Sequence, residues 1–424
     1  MLYLETVGEF LKSIEPLKKV QPELFEDWIV HCITQPQRLI EVLIPWQNDQ
    51  GEVLINHAYR VGHSNILGPF EGGLRFRKDA DITLFKILAF EQSMKNSLAQ
   101  LDLGGAKGGS DFDPSKYSET EIESYCRAFI DHMHPYFGVT QDVPAGDIGV
   151  SAKEISIMVD QLKKYQDDAY RSFTGKALED QGAIGRAEAT GYGLIYFTQA
   201  HLQAEHSDLN KKRVIITGSG NVALNAAKKA LEYGAIVLSL SDSSGAIYHP
   251  QGIDVEAAIA YKANPKQRLS EYQGSHQNLA SYKELFTKPA DLILPCATQN
   301  EIDEDDLKQL DPRVVAIIEG SNKACTRKAI DYLHEHEITH LPSKAANAGG
   351  VIVSSYEMIQ NQNQQEWTFE STMEKLETDM KNIYNQLLQA IVYYRLNHNF
   401  LQAANIIGYK RLAETLIKRK QEKL

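Results

Sequence analysis

The chain has 424 residues, which is too long for one ordinary hydrophobic core and suits two domains. Hydrophobic residues make up 43% and charged residues 24% of the sequence, as in ordinary globular proteins. The formal net charge of −12 argues against a protein that binds nucleic acid or an anionic membrane surface.

The cysteines and histidines show no spacing typical of a metal site. The cysteines are far apart and form no CxxC pair, which favours free buried thiols in a reducing compartment. The pairs His132-Met-His134 and His334-Glu-His336 lack the HExxH spacing. The first residues do not resemble a signal peptide, and no apolar run approaches the roughly 18–20 residues of a membrane span. We therefore expect a cytoplasmic protein without a metal. The cysteines are Cys32, Cys126, Cys296 and Cys325.

The first half of the chain mixes strand and helix patterns. Two aliphatic runs, 38–44 and 53–61, are separated by a turn-like stretch and predict a β-hairpin. Residues 80–100 have apolar side chains at helical spacing, so Gln92 and Lys95 are expected on one face. Helical patterns return at 151–165 and 188–204. The stretch between the first two helices, 104–109, contains too many glycines for a helix interior.

A different rhythm begins near residue 211. Short apolar strands alternate with helical segments over about 130 residues, which predicts a parallel sheet with crossover helices. The predicted fold class is therefore α/β with two domains, and we place the boundary near residue 188. The last helix is expected to return to the first domain. The predicted strands are 213–217, 236–240, 291–294 and 314–318, and two long helices are predicted at about 368–396 and 401–420.

A dinucleotide-binding motif opens the second half. Gly218, Gly220 and Ala223 follow a predicted strand and begin a predicted helix, which is the context that a GxGxxA motif requires. The first small residue makes the turn, and the second admits a pyrophosphate close to the backbone. The third lets the helix pack on the sheet. The helix N-terminus, including Asn221 and Val222, then offers N–H groups to the phosphates.

The residues alone do not decide between NAD and NADP. The second predicted strand ends at Asp242, and an acidic residue there usually binds the ribose 2′-hydroxyl of NAD. Ser243 and the downstream basic residues Lys262, Lys266 and Arg268 are equally able to accept a 2′-phosphate.

A series of motifs in fixed order resembles the hexameric glutamate dehydrogenases from about Tyr59 to Asn347. The resemblance implies a substrate-binding and oligomerisation domain over 1–188, to which 400–424 returns. It also implies a Rossmann-type cofactor domain over 189–399, a cleft between the two, and a homohexamer. The segments that carry it are Gly-Gly-Leu-Arg-Phe (72–76), Ala-Phe-Glu-Gln (89–92), 104–114, Asp-Val-Pro-Ala-Gly-Asp-Ile-Gly (142–149), Glu-Ala-Thr-Gly-Tyr-Gly (188–193), Pro-Cys-Ala-Thr-Gln-Asn (295–300) and Lys-Ala-Ala-Asn-Ala-Gly-Gly (344–350).

The resemblance assigns roles to individual residues. Lys107 and Asp147 match the family's catalytic lysine and aspartate. In the reaction it implies, the Cα–H of an L-amino acid is oxidised to an imine, which water then attacks with the help of a base. A lysine such as Lys107 serves as that base if burial and a second cation lower its pKa. Substrate-binding roles are implied for Gly72, Gln92, Lys95, Asn347, Val351 and Ser354, and coenzyme-binding roles for Thr190 and Asn322.

The coenzyme loop resembles NADP-using members of the family more than NAD-using ones. The sequence Asp242-Ser243-Ser244 carries this likeness, although Pro265 stands where such relatives often have a basic residue. NADP is therefore the expected coenzyme, with NAD possible.

One residue departs from the family pattern. Relatives have a lysine at the position of Glu71 that binds the γ-carboxylate of glutamate together with a serine matching Ser354. Two unit charges 4 Å apart interact by about 4 kcal/mol at an effective dielectric of 20, so an ionised Glu71 is expected to reject glutamate. We therefore predict a cationic or neutral side chain on the substrate. The alternative is a true glutamate dehydrogenase in which Glu71 turns outward or is protonated, or another cation reaches the γ-carboxylate.

Other functional classes explain fewer residues. A dinucleotide sensor without activity is expected to lose Lys107 or Asp147, and both are present. A scaffold role leaves the glycine-rich stretch 104–109 without an explanation. The expected partners are therefore small molecules: an amino acid, its 2-oxo acid and ammonium.

Overall fold

The computed structural model describes residues 2–264 and 266–422, which fold into two units. The first unit contains Met1–Arg186, Val351–Phe369 and Asn405–Leu424. The second contains Ala187–Gly350 and Glu370–Ala404. Two helices, α13 (Gly349–Asn363) and α15 (Phe400–Gln421), begin in the second unit and continue into the first.

The first unit is built on a five-stranded mixed sheet in the order β1-β2-β4-β3-β5. The first two strands form the antiparallel hairpin expected from the sequence, and β3 lies between β4 and β5, parallel to both. The strands are β1 (Arg38–Gln47), β2 (Val53–Ser64), β3 (Phe70–Phe76), β4 (Gly105–Ser110) and β5 (Asp142–Gly146). The helices are α1 (Leu2–Ser13), α2 (Glu15–Val20), α3 (Asp27–Thr34), α4 (Ile82–Leu98), α5 (Glu119–Met133) and α6 (Ala152–Leu162).

An aromatic core holds one face of this sheet against the helices. Tyr125 and Phe129, one turn apart on α5, reach Phe76 at the end of β3 and Phe112 just beyond β4. All four side chains are fully or almost fully buried. Because aromatic side chains bury a large apolar area, this cluster fixes the ends of the strands that carry the candidate site.

The second unit has a seven-stranded sheet in the order β12-β11-β10-β6-β7-β8-β9. Five neighbouring strands, from β12 to β7, are parallel, and β8 and β9 add an antiparallel edge. The strands are β6 (Arg213–Thr217), β7 (Ile236–Asp242), β8 (Gly245–Tyr248), β9 (Gln277–Leu279), β10 (Leu292–Pro295), β11 (Ala316–Ile318) and β12 (Thr339–Leu341). The helices are α7 (Ala189–Ala204), α8 (Asn221–Glu232), α9 (Val255–Lys262), α10 (Glu304–Leu307), α11 (Arg327–Glu335), α12 (Ser343–Ala346) and α14 (Phe369–Tyr394).

The α/β fold class and the parallel sheet expected from the sequence are confirmed. The sequence did not predict β3, β4 or β5, because glycine and proline in these short segments weaken the pattern of an ordinary strand. It also placed 351–369 in the second domain, which is wrong. This segment belongs to the first unit. The physical reason is the buried ion pair between Glu357 and Lys176, which joins it to residues far away in sequence.

No helix in the described part of the chain is both long enough and apolar enough to cross a membrane.

The Lys176–Glu357 pair supports a prediction about stability. Both side chains are fully buried, and Lys176 also donates to Asn361 and to the carbonyl of Phe173. Replacing Lys176 with methionine leaves Glu357 buried without its ion-pair partner, which we expect to lower the free energy of unfolding by about 3–5 kcal/mol. Urea denaturation of the purified variant measures this change.

The control is Lys153→Met, which removes the exposed ion pair between Lys153 and Glu119. An exposed pair contributes little because water and salt screen it, so this variant should keep the wild-type urea midpoint. If the two variants unfold at the same urea concentration, the buried pair does not hold Val351–Phe369 in the first unit.

Candidate active site

An ion pair between Lys107 and Asp147 marks the centre of the candidate site in the first unit. Lys107 lies on β4, and Asp147 follows directly after β5, so the two approach each other across β3. The Lys107 Nζ is 2.6 Å from the Asp147 Oδ2, and Arg75 of β3 is 3.2 Å from the other carboxylate oxygen. The sheet order therefore brings together the two residues expected to be catalytic.

Gly73 makes this contact possible. A Cβ atom at Gly73 would stand 2.9 Å from the Lys107 Nζ and 2.8 Å from the Asp147 Cβ. Real Cβ contacts are not found at such distances, so any side chain here would displace the pair. Glycine is thus required for close approach at this point of the strand.

The charges around Asp147 keep it ionised. Burial alone would raise its pKa, but the positive charges of Lys107 and Arg75 outweigh burial and lower the pKa to about 2. At neutral pH the carboxylate therefore remains an acceptor that holds the Lys107 ammonium group in a fixed position.

One face of α4 supplies polar groups beside this pair. Lys95 and Asn96 follow Gln92 by three and four residues, which places both beside Gln92 on one face of the helix. Burial, followed by the charge of Lys107, lowers the pKa of Lys95 to about 8. The structure thus supports a lowered pKa for Lys95, the lysine expected to bind the α-carboxylate.

Glu71 points into the same site. It is fully buried on β3, and its Oε2 accepts hydrogen bonds from the Gln92 Nε2 at 3.0 Å and the Asn96 Nδ2 at 2.9 Å. The alternative in which Glu71 turns outward onto Arg75, Arg77 or Lys78 is therefore wrong, because the two amides of α4 fix its carboxylate inward. Burial raises the pKa of Glu71, although the hydrogen bond from Asn96 and the charge of Lys107 act against the shift.

The backbone next to Glu71 is held by a second buried ion pair. Arg60 of β2 binds Asp142 at the start of β5 and also donates to the carbonyl of Gly72 at 2.9 Å. Arg38 binds the same aspartate. The carbonyl of Gly72, which is expected to contact the substrate, is thus held by Arg60.

Arg186 is a functional candidate that the sequence reasoning missed. Its Nε donates to the Ser354 Oγ at 3.0 Å, and its charge interacts with that of Glu71. Burial lowers the pKa of Arg186, against the effect of the carboxylates Glu357 and Glu71. The available signal was its position two residues before the motif that begins at Glu188. Val351, also buried, lies one helical turn before Ser354 on α13.

The dinucleotide motif in the second unit has the geometry that a pyrophosphate needs. Gly218 has φ +84° and makes the turn after β6, and its N–H donates to Ser241 at 2.8 Å. A Cβ at Gly220 would meet nothing within 4 Å, so the backbone at the start of α8 is open on that side. No side chain caps α8 at this residue, which leaves its first N–H groups available to a phosphate.

Asn221 and Val222, at the N-terminus of α8, take part in packing. Asn221, the first residue of α8, donates from its amide to the carbonyl of Ala187 at 2.6 Å. The carbonyl of Val222 stands against Gly191 on α7, where a Cβ would approach it to 2.7 Å. Thr190 is the second residue of α7, directly beside this contact.

The carboxylate of Asp242 is occupied by internal donors. Its Oδ1 accepts from the backbone and hydroxyl of Ser244 at 2.8 and 2.5 Å. Its Oδ2 accepts from the Leu269 N–H at 2.9 Å and lies 3.3 Å from the Lys262 Nζ. Burial acts to raise the pKa of Asp242, but these hydrogen bonds lower it overall. Lys262, expected as a coenzyme contact, is thus mostly buried as the partner of Asp242.

Arg268, rather than Lys262, is the basic residue in contact with Ser243. Its guanidinium donates to the Ser243 Oγ at 3.1 Å. Lys266 has an exposed side chain. Pro265 lies outside the described residues.

The buried carboxylate of Glu319 fixes the segments that contain Asn322 and Asn347, two residues predicted to contact ligands. Glu319, at the end of β11, accepts N–H bonds from Cys325 and from Ser343, each at 2.7 Å. Asn347, which follows α12, donates to the Asn322 side chain at 2.8 Å. Glu319, Cys325 and His340 also bring metal-ligating atom types within 4.8 Å of one another, but the backbone bonds of Glu319 already give it a structural role.

Comparison with known proteins agrees with this geometry. Residues 182–420 match the family model described as Glutamate/Leucine/Phenylalanine/Valine dehydrogenase, and residues 36–164 match the Glu/Leu/Phe/Val dehydrogenase dimerisation domain. The chain is 41% identical to an NADP-specific glutamate dehydrogenase of a Psychrobacter species, over 98% of this chain and 94% of the relative. It is 38% identical to an NAD-specific glutamate dehydrogenase of Clostridium symbiosum, with the same coverage.

Solved structures of glutamate dehydrogenases are also similar to this chain. Glutamate dehydrogenase of Plasmodium falciparum superposes with a TM-score of 0.93 at 37% identity, covering 98% of this chain and 90% of that one. A hetero-hexameric glutamate dehydrogenase of Thermus thermophilus, in a leucine-bound form, superposes with a TM-score of 0.87 at 25% identity. This match covers 99% and 96% of the two chains.

The lowered pKa of Lys95 is open to direct measurement. With a pKa of about 8, about one tenth of the Lys95 side chains are neutral at pH 7 and react with an amine acylating reagent. We expect the acylation rate of Lys95, followed by peptide mass spectrometry, to reach half its maximum near pH 8. In Lys107→Met the midpoint should move upward, because the neighbouring positive charge is gone.

Lys153 is the internal control, because its hydrogen bond with Glu119 raises its pKa. A Lys95 midpoint as high as that of Lys153, or one unchanged in Lys107→Met, would contradict the electrostatic coupling between the two site lysines.

Proposed function

Because the chain belongs to the glutamate/leucine/phenylalanine/valine dehydrogenase family, we propose that it catalyses the NADP-dependent oxidative deamination of L-glutamate to 2-oxoglutarate and ammonium. As an amino acid dehydrogenase it uses NADP or NAD. The observation that carries the choice of glutamate is Arg186, a cation hydrogen-bonded to Ser354 within reach of the charge of Glu71.

A cationic or neutral substrate fits this site less well. That hypothesis treated Glu71 as the only charge facing the distal end of the substrate. The structure adds Arg186, and the charges of Lys95 and Lys107 also interact with the charge of Glu71. A lysine or ornithine side chain would enter a site rich in positive charge, whereas a dicarboxylate finds a cation for each end. The relatives described above are glutamate dehydrogenases, in agreement with this preference.

Different residues of the first unit have different roles in the proposed reaction. Lys95 binds the α-carboxylate beside Gln92, and Arg186 with Ser354 binds the γ-carboxylate. The Lys107 Nζ, held by the Asp147 Oδ2, hydrogen-bonds the water that attacks the substrate carbon, and Asp147 passes the proton of the departing amine. The nicotinamide coenzyme, when bound, supplies the oxidising power.

The preference for NADP rests on the Asp242 loop. Because Asp242 is bound by Lys262, Ser244 and Leu269, its carboxylate has partners other than a ribose hydroxyl. Ser243 and Arg268 then present a hydroxyl and a guanidinium, which suit a 2′-phosphate.

The assembly and the compartment are also proposals. Residues 36–164 match a dimerisation domain, and one similar structure is a hetero-hexamer, which support a homohexamer of this chain. Light scattering measures the assembly, and a monomer would contradict it. The four cysteines are free thiols, which supports a reducing, cytoplasmic compartment. Fractionation of the source cells tests this location.

Substrate oxidation by wild type and Arg186→Met tests the function. With a panel of L-amino acids, wild type should prefer glutamate over lysine, ornithine, leucine and norvaline. Norvaline has the same chain length as glutamate and lacks only the distal carboxylate. Losing a charge-assisted hydrogen bond of about 1.5–3 kcal/mol should lower kcat/KM for glutamate roughly 10- to 150-fold, mainly through KM. Activity with norvaline should change little.

Arg127→Met is the matched control, since Arg127 of α5 forms surface ion pairs with Glu123 of the same helix and Asp160 of α6. If wild type prefers lysine or ornithine, the proposal of glutamate as substrate is wrong. If Arg186→Met loses glutamate and norvaline activity equally, Arg186 does not bind the distal carboxylate.

Coenzyme preference is tested at Arg268. In Arg268→Ala we expect kcat/KM for NADP to fall roughly tenfold or more, with little change for NAD, because one charge-assisted bond to the 2′-phosphate is lost. Lys308→Met, which alters exposed ion pairs on α10, serves as the control. Equal losses with both coenzymes would contradict a specific contact with the phosphate.

A further inference from the structure

Glu71 differs from Asp142 and Glu357, two other buried carboxylates of the first unit, in having no ion-pair partner among the described residues. Asp142 is paired with Arg38 and Arg60, and Glu357 with Lys176. For Glu71 the described residues provide no ion pair, and its two hydrogen bonds come from neutral amides. Burial without an ion-pair partner favours the protonated form of Glu71, while the two amide hydrogen bonds favour its ionised form.

The direction of the carboxyl group is fixed. Gln92 and Asn96 both donate to Oε2, and neither donates to Oε1. The Gln92 side chain also donates to Asn96, so the two amides support each other's orientation. A proton on Glu71 would therefore sit on Oε1 and be donated away from α4.

We propose that Glu71 acts as a neutral carboxyl group that donates a hydrogen bond from Oε1 to the distal carboxylate of the substrate, so that binding a dicarboxylate takes up one proton from solvent. This inference rests on glutamate as the substrate. Glu71 then favours a dicarboxylate instead of rejecting it, because two carboxyl groups at hydrogen-bond distance share one proton and carry a single negative charge. Arg186 neutralises that charge.

The groups around Glu71 determine whether its carboxyl group is protonated. Burial raises its pKa and acts in favour of the neutral form. The groups that oppose protonation are the amides of Asn96 and Gln92 on α4 and the cations Lys107 of β4, Arg60 of β2, Lys95 of α4 and Arg186. A bound dicarboxylate offsets part of this positive charge, and the carboxylates Asp142 and Asp147 are already ion-paired. Ligand binding thus shifts the balance toward the neutral acid.

The sign of the pH effect follows from this balance. Since the neutral acid is required, the affinity for a dicarboxylate falls as pH rises above the pKa of Glu71 in the free enzyme. The dissociation constant should rise by up to about tenfold per pH unit. Lys95, with a pKa of about 8, adds its own proton uptake when it binds any carboxylate. A monocarboxylate of the same length therefore isolates the contribution of Glu71.

Isothermal titration calorimetry of the full-length enzyme with glutarate and with pentanoate tests the proposal. Each ligand is titrated between pH 6 and 9 in buffers of different ionisation enthalpy, which gives the number of protons taken up. For wild type we expect glutarate to take up more protons than pentanoate, with the difference approaching one as pH rises. In Glu71→Gln this difference should vanish while glutarate still binds, because the glutamine oxygen can accept from Gln92 and Asn96 and its amide can replace the O–H donor.

Glu123→Gln, an exposed glutamate on α5, should keep the wild-type difference. If wild type takes up no extra proton with glutarate at any pH, or if Glu71→Gln keeps the extra uptake, the proposal is overturned. The wild-type measurement needs no variant and decides the matter even if Glu71→Gln fails to fold. A wild-type enzyme that does not oxidise glutamate would overturn the proposed function instead, which separates the two failures.

Discussion

The ion pair between Lys107 and Asp147 is the interaction on which the first unit's site depends, because it closes the gap between two strands that are not neighbours in the sheet. β3 runs between β4 and β5, and only a residue without a side chain at Gly73 lets the lysine and the aspartate meet over it. The pair in turn sets the charge of its surroundings. Lys107 contributes to lowering the pKa of both Lys95 and Asp147.

Surplus positive charge is the second consequence of this arrangement. Lys95, Lys107 and Arg186 lie in one partly buried site in which Asp147 is the firmly ionised carboxylate. Burying like charges together costs free energy, and a ligand that carries two carboxylates relieves it at both ends. The same balance explains how a glutamate residue is accommodated at position 71, since its carboxyl group can carry or release a proton as the ligand comes and goes.

The pairing of Lys107 with Asp147 could be expected from the sequence because both residues lie in short motifs that occur in fixed order. Lys107 stands among glycines within β4, and Asp147 follows Pro144 and lies directly after β5. Asn96 was also within reach of sequence reasoning, because it lies four residues after Gln92 on a helix already predicted.

The direction of Glu71 and the role of Arg186 were not predictable in the same way. A residue within a strand faces one side or the other according to register, and β3 itself was not predicted because its two glycines weaken the strand pattern. The proposed role of Arg186 depends on its hydrogen bond to Ser354, which lies 168 residues later in the chain. Only the long-range packing of Val351–Phe369 onto the first unit brings the two together.

A crystal structure of the enzyme with glutarate bound measures the central claim most directly. The account predicts one carboxylate of glutarate at Lys95 and the other between Arg186, Ser354 and Glu71. The distance from the Glu71 Oε1 to the nearest glutarate oxygen should be short, about 2.5–2.7 Å, as for a carboxyl group that donates to a carboxylate. A distal carboxylate that avoids Arg186, or a Glu71 side chain that turns away from the ligand, would contradict the account.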